Sequence, residues 1–167
     1  MAKQPANVLF LCTGNSARSI LAEALLNRDG GERFRAFSAG SLPKGAVHPM
    51  ALEILRERGF PTDALRSKSW DEFAGAEAPP LDVILTVCDN AATEVCPIWP
   101  GRPVTAHWGI EDPAAVEGAD QKQAFLVALR RLENRVGALL ELPPEAETGA
   151  LKKELQRIGE LTDEAFV

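Results

Sequence analysis

The stretch VLFLCTGNSARSILAEALL, residues 8–26, contains the change from strand to helix that decides the fold. Asn7–Leu11 is a short apolar run typical of a buried strand, and Ala17–Arg28 carries its apolar residues on one stripe, as a helix does. Between the two elements the chain places Cys12, five further residues and then Arg18. A thiol at the end of a strand therefore faces the beginning of a helix.

The rest of the chain repeats this alternation of strand and helix. Its 167 residues predict one domain large enough to bury about 70% of the surface of the unfolded chain. Further strands are predicted at Arg33–Ser38, Leu81–Val87 and Val104–His107, and further helices at His48–Arg58, Gln121–Leu142 and Thr148–Glu160. This order predicts an α/β fold whose parallel sheet is covered on both faces. Pro143 and Pro144 suggest a domain over residues 1–142 and a C-terminal helical appendage over 143–167.

Composition excludes several classes of function. A net charge of -6 and a pI near 5.0 argue against a nucleic-acid partner and against an anionic membrane surface. The apolar run near the start is too short for a signal peptide or a membrane span, so we expect a cytoplasmic protein with no membrane partner. Three cysteines, Cys12, Cys88 and Cys96, do not make a disulfide framework and indicate reactive thiols or core residues. His48 and His107 lack the spacing of a zinc site, so no metal is predicted.

The loop after the first strand has the composition of an anion cradle. Successive N–H groups at a helix start hold a tetrahedral oxyanion well, and small residues let the backbone wrap closely around it. Gly14 and Asn15 tolerate a positive φ, and Arg18 can pair two oxygens at once. Cys12 would lie at the base as a thiolate, with Ser19 donating to the sulfur. The predicted anion-binding residues are Thr13, Gly14, Asn15, Ser16, Ala17, Arg18 and Ser19.

The loops that begin at Cys12, Cys88 and His107 each follow a predicted parallel strand. Because such strands end at one edge of a sheet, we expect all three loops to open there.

Two motifs carry a resemblance to a known family. Cys12 to Ser19 fits the pattern C-x-G-N-x-x-R-S, and Asp112-Pro113 stands later in HWGIEDPA. Both resemble the low-molecular-weight protein tyrosine phosphatases over about residues 7–142. The resemblance implies a three-layer fold with a four-stranded parallel sheet and helices on both faces. It also implies that Cys12 is the nucleophile, Arg18 the anion ligand and Asp112 the general acid.

Other residues depart from the phosphatases. The chain has no tyrosine, Ala114 and Ala115 follow the Asp-Pro pair, and Ile20 stands where phosphatases typically have proline. Cys88 and Cys96 instead resemble the two additional redox cysteines of the arsenate reductases built on this fold. That resemblance implies arsenate as substrate, no bound cofactor, and an external thiol reductant, either thioredoxin or glutaredoxin with glutathione.

The resemblance also implies a relay. Cys12 attacks arsenate, Cys88 then forms a disulfide with Cys12, and Cys96 takes over that disulfide. If residues 88–96 were helical, the two cysteines would be about 12 Å apart, whereas a disulfide needs Cα atoms about 4.4–6.8 Å apart. We therefore expect residues 89–97 to differ between the reduced and oxidised protein.

Alternatives remain open from the sequence. Cys12, Arg18 and Asp112 alone would serve a phosphatase, and a binding module that senses an oxyanion or redox state would need no turnover. Some of these reductases bind potassium near the cradle, and the ammonium group of Lys68 could stand in for that cation. We expect a monomer, because thiols that pass electrons to a partner need an open face.

Overall fold

The fold is seen in a computed structural model, which describes residues 5–75, 78–88, 103–142 and 148–160. Its strands are β1 (Ala6–Leu11), β2 (Phe34–Ala39), β3 (Val83–Thr86) and β4 (Val104–His107). Its α-helices are α1 (Arg18–Asp29), α2 (Pro49–Glu57), α3 (Gln121–Leu140) and α4 (Thr148–Gly159). Three short 3₁₀ helices lie at Trp70–Phe73, Pro113–Ala115 and Gly118–Asp120.

The four strands form one parallel sheet in the order β2-β1-β3-β4. Leu11 at the end of β1 is level with Ala39 of β2 and with Thr86 of β3, and Thr86 is level with His107 of β4. The carboxyl ends of all four strands thus share one edge. The prediction that the loops after β1, β3 and β4 open there is confirmed, as is the predicted three-layer α/β fold.

Both faces of the central strand are covered. Consecutive residues of a strand point to opposite faces, yet Val8, Leu9, Phe10 and Leu11 are each at most 1% exposed. This double burial explains why β1 is a continuous apolar run rather than an alternating one. Helices α1, α2 and α3 pack against one another, and α1 lies against β1 and β2.

The beginning of α2 shows how the sequence sets a helix boundary near the cradle. His48 caps the helix, because its Nδ1 accepts the N–H of Met50 at 3.0 Å, and Pro49 occupies the first turn. The helix ends at Glu57, and Gly59 follows with a φ of 82°. The predicted bounds are met within one or two residues here. The third strand is shorter than the predicted Leu81–Val87, because only Val83–Thr86 pairs with both neighbouring strands.

Helix α4 packs against the edge strand β4 and against α3. Its Leu155 and Ile158 are fully buried and belong to the same hydrophobic core as the sheet. The boundary between residues 142 and 143 stays a prediction, but the helix after it is packed into the main body of the protein.

Across the described ranges, none of the helices combines the length and the apolar character that crossing a membrane requires.

Candidate active site

Asn15 organises the loop between β1 and α1. It has a φ of 43° and is fully buried, and its backbone N–H donates to the carbonyl of Cys12 at 3.1 Å. Its side-chain amide donates to Oγ of Ser19 at 2.8 Å and accepts the backbone N–H of Lys68 at 2.8 Å. The predicted positive φ is therefore confirmed for Asn15, whose side-chain bonds hold the loop in this unusual conformation.

Gly14, which also tolerates a positive φ, does not adopt one. Asn15 is the residue of this turn that has a positive φ. The absence of a side chain serves a different purpose there. A Cβ at Gly14 would lie 3.2 Å from Cε of Lys44, so the glycine lets the lysine stem cross closely over the loop.

A second loop wraps around the outside of the cradle. The backbone N–H groups of Leu42, Lys44 and His48 donate to the carbonyls of Thr13, Gly14 and Ser16, at 3.0, 2.9 and 2.9 Å. These bonds occupy the carbonyls of the cradle from outside. The N–H groups at the beginning of α1 have no partner within the helix, and they are the groups that an anion can use.

Arg18 joins the cradle to the loop after β4. Its Nη1 donates to the carbonyl of Ile110 at 3.0 Å, and its Nη2 lies 3.7 Å from Oδ2 of Asp112. Oδ1 of Asp112 accepts the N–H of Ala114 at 3.0 Å, so the carboxylate caps the short helix at Pro113–Ala115. The structure thus brings Cys12, Arg18 and Asp112, predicted from separate stretches of sequence, to one edge of the sheet.

Cys88 lies in the cradle as well. It follows β3 and is buried. The backbone N–H of Thr13 donates to Sγ of Cys88 at 3.4 Å, and Oγ1 of Thr13 lies 3.8 Å from the same sulfur. Neither Cys12 nor Cys88 is in a disulfide. Cys96 and the stretch 89–97, which is predicted to differ between the reduced and oxidised protein, lie outside the described residues.

Cys88 influences the protonation of Cys12. The hydrogen bond with Cys88 and then burial raise the pKa of Cys12 well above its ordinary value, against the lowering effects of Arg18 and of the Gly14 backbone. Arg18 and the Gly14 backbone favour the thiolate of Cys12, as predicted, whereas Cys88 and burial favour its thiol. The sequence placed Cys88 at the same sheet edge as Cys12, but it did not show that Cys88 would raise the pKa of Cys12.

A buried charged cluster lies behind the cradle, and only part of it was predicted. Nζ of Lys68 donates to the carbonyls of Ser38 and Arg66, both at 2.8 Å, and lies 3.8 Å from Oε1 of Glu23. Oγ of Ser38 donates to the same carboxylate oxygen at 2.5 Å. Burial raises the pKa of Glu23 and lowers the pKa of Lys68. Because the ammonium group already occupies these oxygens, a potassium ion does not fit the cluster. Glu23 was missed in the sequence, although a carboxylate on the apolar stripe of α1 was its signal.

The histidines have structural partners. The ring of His48 lies 4.8 Å from the ring of Phe125, and burial together with Lys44 lowers the pKa of His48. Nδ1 of His107 is 2.7 Å from Oγ1 of Thr86. Within the part of the chain that the structure describes, no three His, Cys, Asp or Glu residues are grouped so as to hold a metal ion.

Known proteins are similar to this chain in sequence and in fold. Residues 7–157 match the family described as low molecular weight phosphotyrosine protein phosphatase. The arsenate reductase of Halalkalibacterium halodurans is 34% identical over 142 residues, which cover 85% of this chain and 96% of that protein. An arsenate reductase solved in the phosphate binding state is similar with a TM-score of 0.66 and 25% identity, over 81% of this chain and 96% of that one. The thioredoxin-dependent arsenate reductase of Corynebacterium glutamicum is similar with a TM-score of 0.60 and 28% identity, over 83% of this chain but only 62% of that longer one.

Proposed function

This chain belongs to the low molecular weight phosphotyrosine protein phosphatase family, and we propose that within it the protein reduces arsenate to arsenite through a relay of Cys12, Cys88 and Cys96. The observation that carries this proposal is a second buried thiol at the base of the cradle, since Sγ of Cys88 accepts the N–H of Thr13, the residue next to Cys12. A phosphatase needs one sulfur there, because water completes its reaction. A reductase needs a second sulfur, because two electrons must reach arsenic.

The first step forms a sulfur–arsenic bond. Arsenate enters the cradle against the N–H groups of α1 and the guanidinium of Arg18. Because the raised pKa of Cys12 favours its thiol form, the proton must leave for attack to occur, and the bound arsenate dianion is itself a base that can accept it. The Cys12 sulfur then bonds to arsenic while one arsenic–oxygen bond breaks. Asp112 protonates the departing oxygen, which leaves as water.

The second step reduces arsenic. The Cys88 sulfur attacks the Cys12 sulfur, a disulfide forms, and the sulfur–arsenic bond breaks with its electron pair left on arsenic. Arsenic(V) becomes arsenic(III) and leaves as arsenite, and the two sulfurs are oxidised together. Because Sγ of Cys88 lies against the backbone N–H of Thr13, next to Cys12, the attacking sulfur is already in the cradle.

The third step returns Cys12 to its starting state. Cys96 attacks Cys88, so that Cys12 is released as a thiolate and the disulfide moves to Cys88–Cys96. An external dithiol, thioredoxin or glutaredoxin with glutathione, then reduces that disulfide by exchange. The similarity to a thioredoxin-dependent arsenate reductase favours thioredoxin. Such a relay requires a reducing compartment, and we therefore place the protein in the cytoplasm.

The alternative is a phosphatase that uses Cys12, Arg18 and Asp112 alone. The activity of such a phosphatase would not depend on Cys88. A Cys88→Ser variant of a phosphatase would hydrolyse aryl phosphates as fast as the unaltered protein. The same variant of an arsenate reductase would lose multiple turnover.

The test is arsenate-dependent consumption of NADPH, coupled to a thioredoxin or glutaredoxin system, for the unaltered protein and the single variants Cys12→Ser, Cys88→Ser and Cys96→Ser. We expect turnover only in the unaltered protein. Cys96→Ser should still release one arsenite per protein and stop with a Cys12–Cys88 disulfide, which mass spectrometry detects. Unchanged multiple turnover in Cys88→Ser or Cys96→Ser would refute the relay, and unchanged turnover in Cys12→Ser would refute the reductase.

A further inference from the structure

The loop that carries Asp112 is held at its beginning by a buried tryptophan. Trp108 follows β4 directly and is fully buried, with its ring 6.1 Å from the ring of Phe10. Its backbone N–H donates to the carbonyl of Thr86 at 2.6 Å. Its indole Nε1 donates to the carbonyl of Leu155 in α4 at 2.8 Å. Because the indole is buried and hydrogen-bonded, Trp108 holds the beginning of the loop in place.

Arg135 of α3 holds the next part of the loop. Its side chain is buried, and Nη1 donates to the carbonyl of Trp108 at 2.6 Å and to the carbonyl of Gly109 at 3.0 Å. Arg18 takes the following carbonyl, that of Ile110. Three successive carbonyls before Asp112 are therefore bound by two guanidinium groups, one from α3 and one from the cradle.

Helix α4 packs closely against His107 and Trp108 at Gly159. A Cβ on Gly159 would lie 2.1 Å from the carbonyl oxygen of His107 and 2.9 Å from Cδ1 of Trp108. Any side chain at residue 159 would push the helix away from the end of β4. The glycine and the Leu155 carbonyl together fix α4 against the tryptophan.

We propose that α4 positions the general acid: through Leu155 and Gly159 it fixes Trp108, and Trp108 with Arg135 sets where Asp112 lies relative to the substrate. This inference rests on the proposed function, because Asp112 must act as the acid for its position to matter. Trp108 and Arg135 are positioning residues, since their contacts run to the loop rather than to the anion.

The kinetic test is a double-mutant cycle between Trp108→Phe and Asp112→Asn. In the unaltered background Trp108→Phe should lower kcat for arsenate by about 10-fold to 100-fold, the cost of a misplaced catalytic group, with little change in KM. In the Asp112→Asn background the same change should lower kcat by less than about twofold, because no acid remains to be misplaced. An equal loss in both backgrounds would overturn the proposal, because it would show that Trp108 supports the protein in general.

Two further variants disturb the same anchor from other elements. Arg135→Lys keeps a charge but cannot bind two carbonyls in the same way, and Gly159→Ala places a Cβ against the His107 carbonyl and so displaces α4. Both should reproduce the pattern of Trp108→Phe. The control is Phe73→Leu, which loses core packing against Phe37 and should lower thermal stability with kcat unchanged.

Hydrogen exchange separates failure of this inference from failure of the proposed function. Trp108→Phe and Gly159→Ala should speed exchange of the Ile110 and Ala114 amides, which bind Val87 and Asp112. Unchanged exchange at those amides would overturn the anchor whatever the protein catalyses. Faster exchange in a protein that fails to reduce arsenate would retain the anchor and reject arsenate as substrate.

Discussion

The cradle after β1 and the acid loop after β4 lie at the same edge of the sheet but are held in different ways. The cradle is held partly within its own segment, by Asn15 bonding to Ser19, and partly by the wrapping loop that begins at Leu42. The acid loop is held by side-chain and backbone groups of two later helices, Arg135 of α3 and Leu155 of α4. The site therefore combines a binding loop with internal side-chain bonds and a catalytic loop whose position depends on helices from the end of the chain.

Arg18 belongs to the cradle and also binds the acid loop, so its replacement should have the largest effect. Arg18→Lys keeps the charge but loses the planar fork that reaches both the anion and the Ile110 carbonyl. We expect kcat/KM for arsenate to fall by about 10²–10³, as for the loss of a key anion donor. Initial rates over a range of arsenate concentrations measure this.

The matched control for Arg18→Lys is Arg28→Lys. Arg28 is an arginine of the same helix that forms ion pairs with Asp29 and Glu133 at the surface. Its replacement should leave activity within about twofold, as for most exposed ion pairs. Equal losses in the two variants would contradict a special role for Arg18.

Replacing Asn15 tests how far the cradle depends on the side-chain hydrogen bonds of this residue. Asn15→Ala removes two buried hydrogen bonds and leaves a side chain at a positive φ, so the free energy of unfolding should fall by about 2–4 kcal/mol. Asn15→Gly loses the same bonds but tolerates the backbone, and should be about 1 kcal/mol more stable than Asn15→Ala. Urea unfolding of both variants separates the two contributions.

Asn27→Ala provides the comparison outside the cradle. It also removes two side-chain bonds, those that Asn27 exchanges with the backbone of Ala36. It should lower stability without lowering the activity of the folded protein. If Asn15→Ala behaves in the same way, the local bonds of the cradle do not serve anion binding.

This contrast also explains how far the sequence could go. Cys12, Arg18 and the positive φ of Asn15 belong to one continuous segment, so spacing and residue type were enough to place them. Asp112 could be assigned to the same edge because parallel strands end together. No local pattern could show that Sγ of Cys88 binds the N–H of Thr13 or that Arg135 binds the carbonyl of Trp108, since those partners are 75 and 27 residues apart.

The protonation of Cys12 tests the influence of Cys88 directly. The hydrogen bond with Cys88 is the largest cause that raises the pKa of Cys12, so Cys88→Ala should lower the pKa. A lower pKa means more thiolate near neutral pH, and alkylation of Cys12 by iodoacetamide should become faster and its pH midpoint should move downward. Mass spectrometry in a Cys96→Ser background assigns the modified sulfur.

Arg18→Gln should move the same midpoint upward, because Arg18 lowers the pKa of Cys12. Opposite shifts in the two variants would establish that the Cys88 thiol and the Arg18 guanidinium move the pKa of Cys12 in opposite directions. A midpoint that stays constant in Cys88→Ala would show that burial alone determines the protonation of Cys12.

The smallest expected effect concerns the buried cluster behind the cradle. The Lys68 ammonium group binds the Ser38 and Arg66 carbonyls beside Glu23, and the Lys68 backbone N–H binds Asn15. The cation that this cluster needs is therefore part of the chain. Replacing sodium by potassium at constant ionic strength should change kcat/KM for arsenate by less than about twofold. A potassium ion in the cluster would be repelled by the buried ammonium group of Lys68, with no solvent to screen the two charges. Lys68→Met sharpens the comparison, since it leaves Glu23 buried without its partner and should lower activity through Asn15. A strong potassium stimulation of the unaltered protein would show that the ammonium group does not occupy those oxygens in solution.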